Sequence, residues 1–245
     1  MSAAARALRA LHTGRAAGDP LVLPGPWDAA SARVFEEAGF PALATPSAGI
    51  ARSLGYEDGS TPAEEMFAQV ARIVRAVSVP VSADLEGGYG LTPEEFVARV
   101  LETGAVGVNL EDSDGRGGLK DAGEQADWLA AVRAEAGDAL FVNARVDVYL
   151  RGVPEPVPAA VERSLRYAAA GADCVYPIAA PAADLPALRA GLGGALPLNF
   201  LARGENPPFA ELGRLGATRI TFGPGLLLRT LGHVSAVAEE LRGGA

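Results

Sequence analysis

The chain has 245 residues, 49% of them hydrophobic, with a formal net charge of −9 and an isoelectric point near 4.8. The acidic balance argues against nucleic acid or an anionic membrane as partner, and no apolar run approaches the ~18 residues that would cross a bilayer. A lone cysteine, Cys174, rules out an intramolecular disulfide framework, and two histidines leave little for a zinc site.

From the N-terminus, residues 1–14 hold no continuous apolar segment of the kind a secretory signal needs, so a cytoplasmic protein is the expectation. The predicted strands are Leu21–Leu23, Ala42–Ala44, Val81–Ala83, Gly107–Leu110, Phe141–Ala144, Cys174–Pro177, Leu196–Phe200 and Arg219–Phe222. Amphipathic segments separate them. Two start clearly: Thr61-Pro62-Ala63-Glu64 and Thr92-Pro93-Glu94-Glu95 place Thr at the N-cap, Pro at the first helical position and Glu at the third. Gly39, Gly104, Gly171 and Gly216 each close a helix just before a strand. Strict alternation predicts a parallel sheet, and eight units predict one (β/α)8 TIM-type barrel forming a single domain over 1–245. A doubly wound sheet is the alternative, but no GxGxxG follows the first strand. Two stretches read as long loops: Ser47–Ser60, and the glycine-rich Ser113–Leu119.

The chemistry concentrates at strand ends. The apolar run ending at Ala83 gives way to Asp84-Leu85-Glu86-Gly87-Gly88-Tyr89-Gly90; the next ends in Glu111-Asp112, and the fifth in Arg145 and Asp147. In such a barrel these ends share one mouth. So many carboxylates cannot all ionise together without a cation, and an all-oxygen set suits Mg²⁺ or Mn²⁺. Arg145 would then grip an anionic substrate bidentately. The alternative is a structural ion network. Asn109 and Asn143 either point into this mouth or hydrogen-bond within the barrel. Cys174 is expected as core packing, and His233, in the last helix, as structural.

Several motifs, spread over nearly the whole chain, carry a resemblance. They are residues 24–33 followed by 37–40, Ser47-Ala48-Gly49 with Ser53-Leu54-Gly55, the 84–90 stretch, 108–112 and 143–147. Together they resemble the isocitrate lyase / phosphoenolpyruvate mutase superfamily, in its short bacterial carboxyvinyl-carboxyphosphonate phosphorylmutase-like branch. The family's DxDxGxG motif is similar to 84–90, with Glu86 replacing the second Asp. The resemblance implies Mg²⁺ held by Asp84, with Glu86 and Glu111 reaching it through water. It also implies a 2-oxo or 2-hydroxy acid anchored by Arg145 and by backbone N–H groups at Ser47 and Ala48. Thr45, Asp84 and Asn199 complete the substrate-binding set. Arg145, Glu111, Asp58, Arg116 and Lys120 are the candidate catalytic residues.

The lid region, residues 113–125, departs from the family. It lacks both the lyases' cysteine and the mutases' Lys-x-Asn-Ser pattern, offering Arg116, Lys120 and Asp121. The expected function is therefore a Mg²⁺-dependent lyase that breaks or makes a C–C bond at C3 through an enolpyruvate-type intermediate, without a lid cysteine. An oxaloacetate-decarboxylase-like activity would fit. C–P bond chemistry, or a degenerate 2-oxo-acid-binding barrel, are the alternatives. The resemblance further implies a homo-oligomer, dimer or tetramer, with the last helix (225–241) exchanged.

Overall fold

A computed structural model describes residues 2–243. In chain order the elements begin α1 (Ala3–His12), β1 (Leu21–Val22), α2 (Ala29–Glu37), β2 (Leu43–Thr45), α3 (Ser47–Leu54), α4 (Ala63–Ala76) and β3 (Val81–Asp84). They continue α5 (Pro93–Thr103), β4 (Gly107–Glu111), α6 (Ala122–Ala136), β5 (Phe141–Val146), α7 (Pro156–Ala169) and β6 (Cys174–Pro177). The last are α8 (Leu185–Gly191), β7 (Asn199–Leu201), α9 (Phe209–Leu215), β8 (Arg219–Thr221) and α10 (Gly225–Gly243).

All strand pairs are parallel, and they run in chain order. β2 to β6 form one continuous ladder, and β1, β8 and β7 form another. Two links join the ladders into a (β/α)8 barrel: a bridge between Val175 and Leu198, and a 3.0 Å bond from the Ala44 N–H to the Pro24 carbonyl. β7 starts at Asn199, later than predicted. Pro197 has no N–H to give the ladder, though its carbonyl accepts from Val175.

The main core lies between strands and outer helices, built from residues such as Val81, Ala83, Val108, Leu110, Val142 and Ala144 facing Phe96, Leu129 and Tyr167. The opposite strand face fills the barrel. α1 covers its N-terminal end: Ala5, Leu8 and His12 are buried, and His12 stacks on Phe141 at 4.1 Å. Gly107 is required there, because a Cβ would stand 2.8 Å from Leu8 Cδ2.

Two local readings change and one holds. α5 has the capping box read from Thr92 and Glu95. α4 instead starts after Pro62, and the Thr61 hydroxyl is buried without a partner. The expected loop after β2 begins with α3, which ends at Gly55 in the left-handed conformation (φ 89°). α10 projects from the barrel with Leu231, Val234, Val237 and Leu241 all exposed. No helix among the described residues is long and apolar enough to cross a membrane.

Candidate active site

Strand register sets the site. Asp84 pairs with Asn109, which pairs with Asn143; one step further, Glu111 pairs with Arg145 and Arg145 with Tyr176. Parallel register partners face the same way, so these side chains share the barrel's inner, C-terminal end. They meet a cavity of about 940 Å³ whose walls include Thr45, Ser47, Ala48, Asp58, Asp84, Asn109, Arg145 and Tyr176. Pro46 turns the chain from β2 into α3, which brings the first N–H groups of that helix to the cavity. The Ser47 hydroxyl donates to Asp84 Oδ2 at 3.0 Å, and the Asp84 N–H donates to Thr45 Oγ1 at 3.3 Å.

Arg145 is the hub. Nη1 pairs with Glu111 Oε2 at 2.6 Å, while Nε and Nη2 hold Asp147 Oδ1 and Oδ2 at 2.8 and 2.9 Å. Burial alone would lower its pKa, but Glu111, Asp147 and Asp84 hold it above the usual arginine value. The carboxyls fare differently. Burial raises Asp84 above the ordinary range, and Arg145, Ser47 and the Glu86 amide pull it only part of the way back. Glu86 is pushed up to about 7 by burial and by the charges of Asp84 and Asp58. Glu111 rises to about 8, chiefly by burial, against the pull of Arg145.

Three carboxyls held above their normal range around one mouth are what a divalent cation would relieve. Glu86 Oε1 is moreover buried with no hydrogen-bond partner. Among the described residues no three acidic, His or Cys side chains converge into a ready ligand cage. The all-oxygen set of Asp84, Glu86 and Glu111 suits an ion that keeps most of its waters and takes one direct carboxylate.

The remaining expected residues are placed unequally. Asp58 stands exposed at the cavity rim. Glu86 and Glu111 are not among the residues lining the cavity, and Glu111 is held by Arg145 at 2.6 Å. Asn199 is beneath the cavity, donating to the Thr221 hydroxyl at 3.0 Å, and it is Thr221 that lines the cavity. Asp112, read from sequence as a mouth carboxylate, faces the other way. Its neighbour Glu111 takes the inward position, so strand alternation turns Asp112 outward, onto Arg163 (3.0 Å), Tyr167 (2.8 Å) and the Asp147 N–H (2.8 Å). Cys174 is fully buried in the barrel among Leu21, Ala42 and Phe141, and burial pushes its thiol up to about 12. His233 is exposed on α10.

The glycine-rich segment after Asp112 is folded down. Ser113 bridges Leu119, its hydroxyl donates to Asp147, and Arg151 donates to that hydroxyl at 2.8 Å. Asp114 accepts from the N–H groups of Arg116 (2.7 Å) and Gly118 (2.9 Å). This geometry leaves the Arg116 side chain exposed and outside the cavity lining. Lys120 also sits outside the cavity. Its ammonium rests 3.4 Å from the Gly87 and Glu111 carbonyls and 6.0 Å from the Trp128 ring centroid.

Sequence reasoning missed two features. Tyr176 lines the cavity; inward alternation from Cys174 on β6 carries that signal. The far wall is apolar, formed by Leu150, Ile178, Leu201 and Phe222, and loop residues with no periodicity gave little warning of it.

Residues 8–242 match the family described as phosphoenolpyruvate phosphomutase. A protein from Burkholderia cenocepacia J2315 described as a candidate phosphonomutase superposes with a TM-score of 0.90 at 39% identity, covering 97% of this chain and 100% of that one. An uncharacterized protein of Mycobacterium tuberculosis is 33% identical over 207 residues, 84% of this chain and 78% of its own length. The 2-methylisocitrate lyase of Bacillus subtilis (strain 168) is 31% identical over 173 residues, 66% of this chain and 56% of the relative. With its fold, its carboxylate mouth and these likenesses in agreement, the chain belongs to the isocitrate lyase / phosphoenolpyruvate mutase superfamily of enzymes.

Proposed function

We propose that this enzyme is a Mg²⁺-dependent lyase that breaks or makes a C–C bond at C3 of a small 2-oxo or 2-hydroxy acid. The observation that carries this reading is the meeting of Asp84, Arg145 and the start of α3 on one cavity wall. Asp84 would hold the ion directly, with Glu86 and Glu111 behind it; Mn²⁺ would fit the same oxygen set. When bound, the ion supplies Lewis-acid stabilisation of an oxyanion.

The chain's own residues do the rest. Arg145, locked by Asp147 and Glu111, presents its remaining N–H groups to the substrate carboxylate at no further ordering cost. As the C3 bond breaks, negative charge gathers on the substrate's oxygen. Arg145 and the helix start at Ser47 and Ala48 face that charge and lower its energy. The cavity extends past this point between Ile178, Leu201 and Phe222, which leaves space for the C3 substituent. With the lone thiol buried in the barrel, no cysteine is placed to act as acid, which favours a leaving group such as CO₂ that needs no proton, the enolate left at C3 then taking its proton from water.

The likeness to the candidate phosphonomutase favours a second reading, C–P bond chemistry. The apolar far wall weighs against it. The only arginines there, Arg203 and Arg229, are exposed at the rim, a poor setting for a phosphonate dianion. The exposed stripe Leu231, Val234, Val237 and Leu241 supports a homo-oligomer with α10 exchanged.

The test is pyruvate or 2-oxo-acid release from a panel of 2-oxo, 2-hydroxy and phosphono acids, with and without Mg²⁺. Metal-dependent release by the wild type and its loss in Asp84→Asn are expected. Release from phosphonopyruvate alone would overturn the C–C assignment.

A further inference from the structure

The floor of the cavity rests on a buried charge. Arg219 enters the barrel interior from β8, is fully buried, and makes no ion pair among the described residues. Its Nη2 donates to Ser82 Oγ at 3.3 Å and to Asn109 Oδ1 at 3.4 Å, while Nε and Nη1 have no partner. A guanidinium can only donate, so the Asn109 atom that faces it must be the carbonyl oxygen. A second donor, Asn143 Nδ2, approaches the same oxygen at 2.8 Å. The two ends of an asparagine amide are ordinarily assigned by inference; here the chemistry of Arg219 fixes them. The Asn109 amino group therefore points away from Arg219. Asn109 lines the cavity between Asp84 and Arg145, and among the described residues its recorded side-chain hydrogen bonds are all accepted by Oδ1, none donated by its amino group.

We propose that Asn109 donates an amide N–H to an anionic oxygen of the bound 2-oxo or 2-hydroxy acid, and that Arg219 is the positioning residue that keeps the donor end facing the cavity. The assignment rests on the 2-oxo-acid reading of the site. The opposite orientation would set a carbonyl oxygen against an anion and an amino group against a guanidinium, so both contacts would be repulsive.

The experiment is titration of oxalate, a planar chelating anion, in the presence of Mg²⁺, with Mg²⁺ alone titrated in parallel. Asn109→Asp keeps the acceptor beneath the side chain and replaces the donor with oxygen. It should fold, bind Mg²⁺ alone, and lose affinity for oxalate by about 10- to 100-fold, as expected for one hydrogen bond to a charged group. Asn109→Leu, uncharged, should lose a similar factor, which separates donor loss from repulsion. Arg219→Lys, still a pure donor, should retain oxalate affinity, whereas Arg219→Gln, able to accept as well as donate, should weaken it. A role in stability alone would leave oxalate affinity unchanged in every folded variant. If the wild type binds oxalate and folded Asn109→Asp binds it equally well, the assignment of Asn109 is overturned. If the wild type binds no oxalate with Mg²⁺, the 2-oxo-acid reading itself falls, and this assignment with it.

Discussion

Replacing Asp112 with alanine removes three contacts at once: the Arg163 pair at 3.0 Å, the Tyr167 hydroxyl at 2.8 Å and the Asp147 N–H at 2.8 Å. Breaking a buried pair by deleting one partner costs roughly 3–5 kcal/mol. Burial already pushes the Asp112 carboxyl up, and Arg163 keeps the Lys120 carbonyl at 3.1 Å. Both trim the charged share, which puts the loss near about 3 kcal/mol. At roughly 2–4 °C per kcal/mol for a chain of this size, the melting temperature should fall by about 6–12 °C. Glu111→Ala, one residue earlier, should behave differently. The folded protein holds Glu111 as a reluctant anion, and Arg145 would retain its fork on Asp147. Its loss should move the melting temperature by no more than about 3 °C. Thermal unfolding of both variants by circular dichroism in metal-free buffer decides the matter. An Asp112→Ala protein that melts with the wild type, or a Glu111→Ala protein that falls as far, refutes the division of labour along β4.

The raised carboxyls also set a pH dependence. Glu86 and Glu111, at about 7 and about 8, bind more protons folded than unfolded, so stability falls as pH rises through that window. His12, lowered to about 3, works in the opposite sense only below its unfolded value near 6.5. Between pH 6.5 and 8 the metal-free protein should therefore lose on the order of 2–3 kcal/mol, and Mg²⁺ should restore most of it; a melting temperature that rises over this range contradicts the electrostatics. Arg145→Lys keeps the charge and loses the fork, so oxalate affinity measured by calorimetry should drop at least about tenfold. Equal affinity would mean that Arg145 serves the carboxylates alone. Cys174→Ser should keep turnover within about twofold in a pyruvate-release assay, because the thiol is sealed in the barrel, outside the cavity lining. A variant that binds oxalate normally yet is inactive would identify the thiol as the missing acid.

The barrel was legible because eight apolar runs, each punctuated by glycine or proline, leave few other architectures. Gly39, Gly104, Gly171 and Gly216 do take positive φ where helices close. α3 was not legible: it is eight residues long, contains Gly49, and follows Pro46, which offers no side-chain cap. Of the site, Asp84 and Arg145, which alternate inward along their strands, could be read, while Asn109 could be placed only as inward or hydrogen-bonded within the barrel, and it is both. The error at Asp112 came from treating Glu111-Asp112 as one unit, when alternation sends adjacent side chains to opposite faces. Arg116 is less legible for another reason. Composition gives a loop its charge, but the turn around Asp114 decides where that charge points.

The chain contains a single lysine, Lys120, and the ammonium that rests beside Trp128 belongs to it. Burial holds its pKa below the ordinary lysine value, so at moderately alkaline pH a larger share of this amine is uncharged and nucleophilic. An amine-directed label placed on the described side chains would therefore land at one address. That address lies 3.4 Å from the Gly87 carbonyl and 6.0 Å from the centre of the indole. The enzyme thus carries a built-in spectroscopic handle, with the dye beside Trp128, one of its two tryptophans. Separation of the two would report on movement of the Lys120 segment relative to α6.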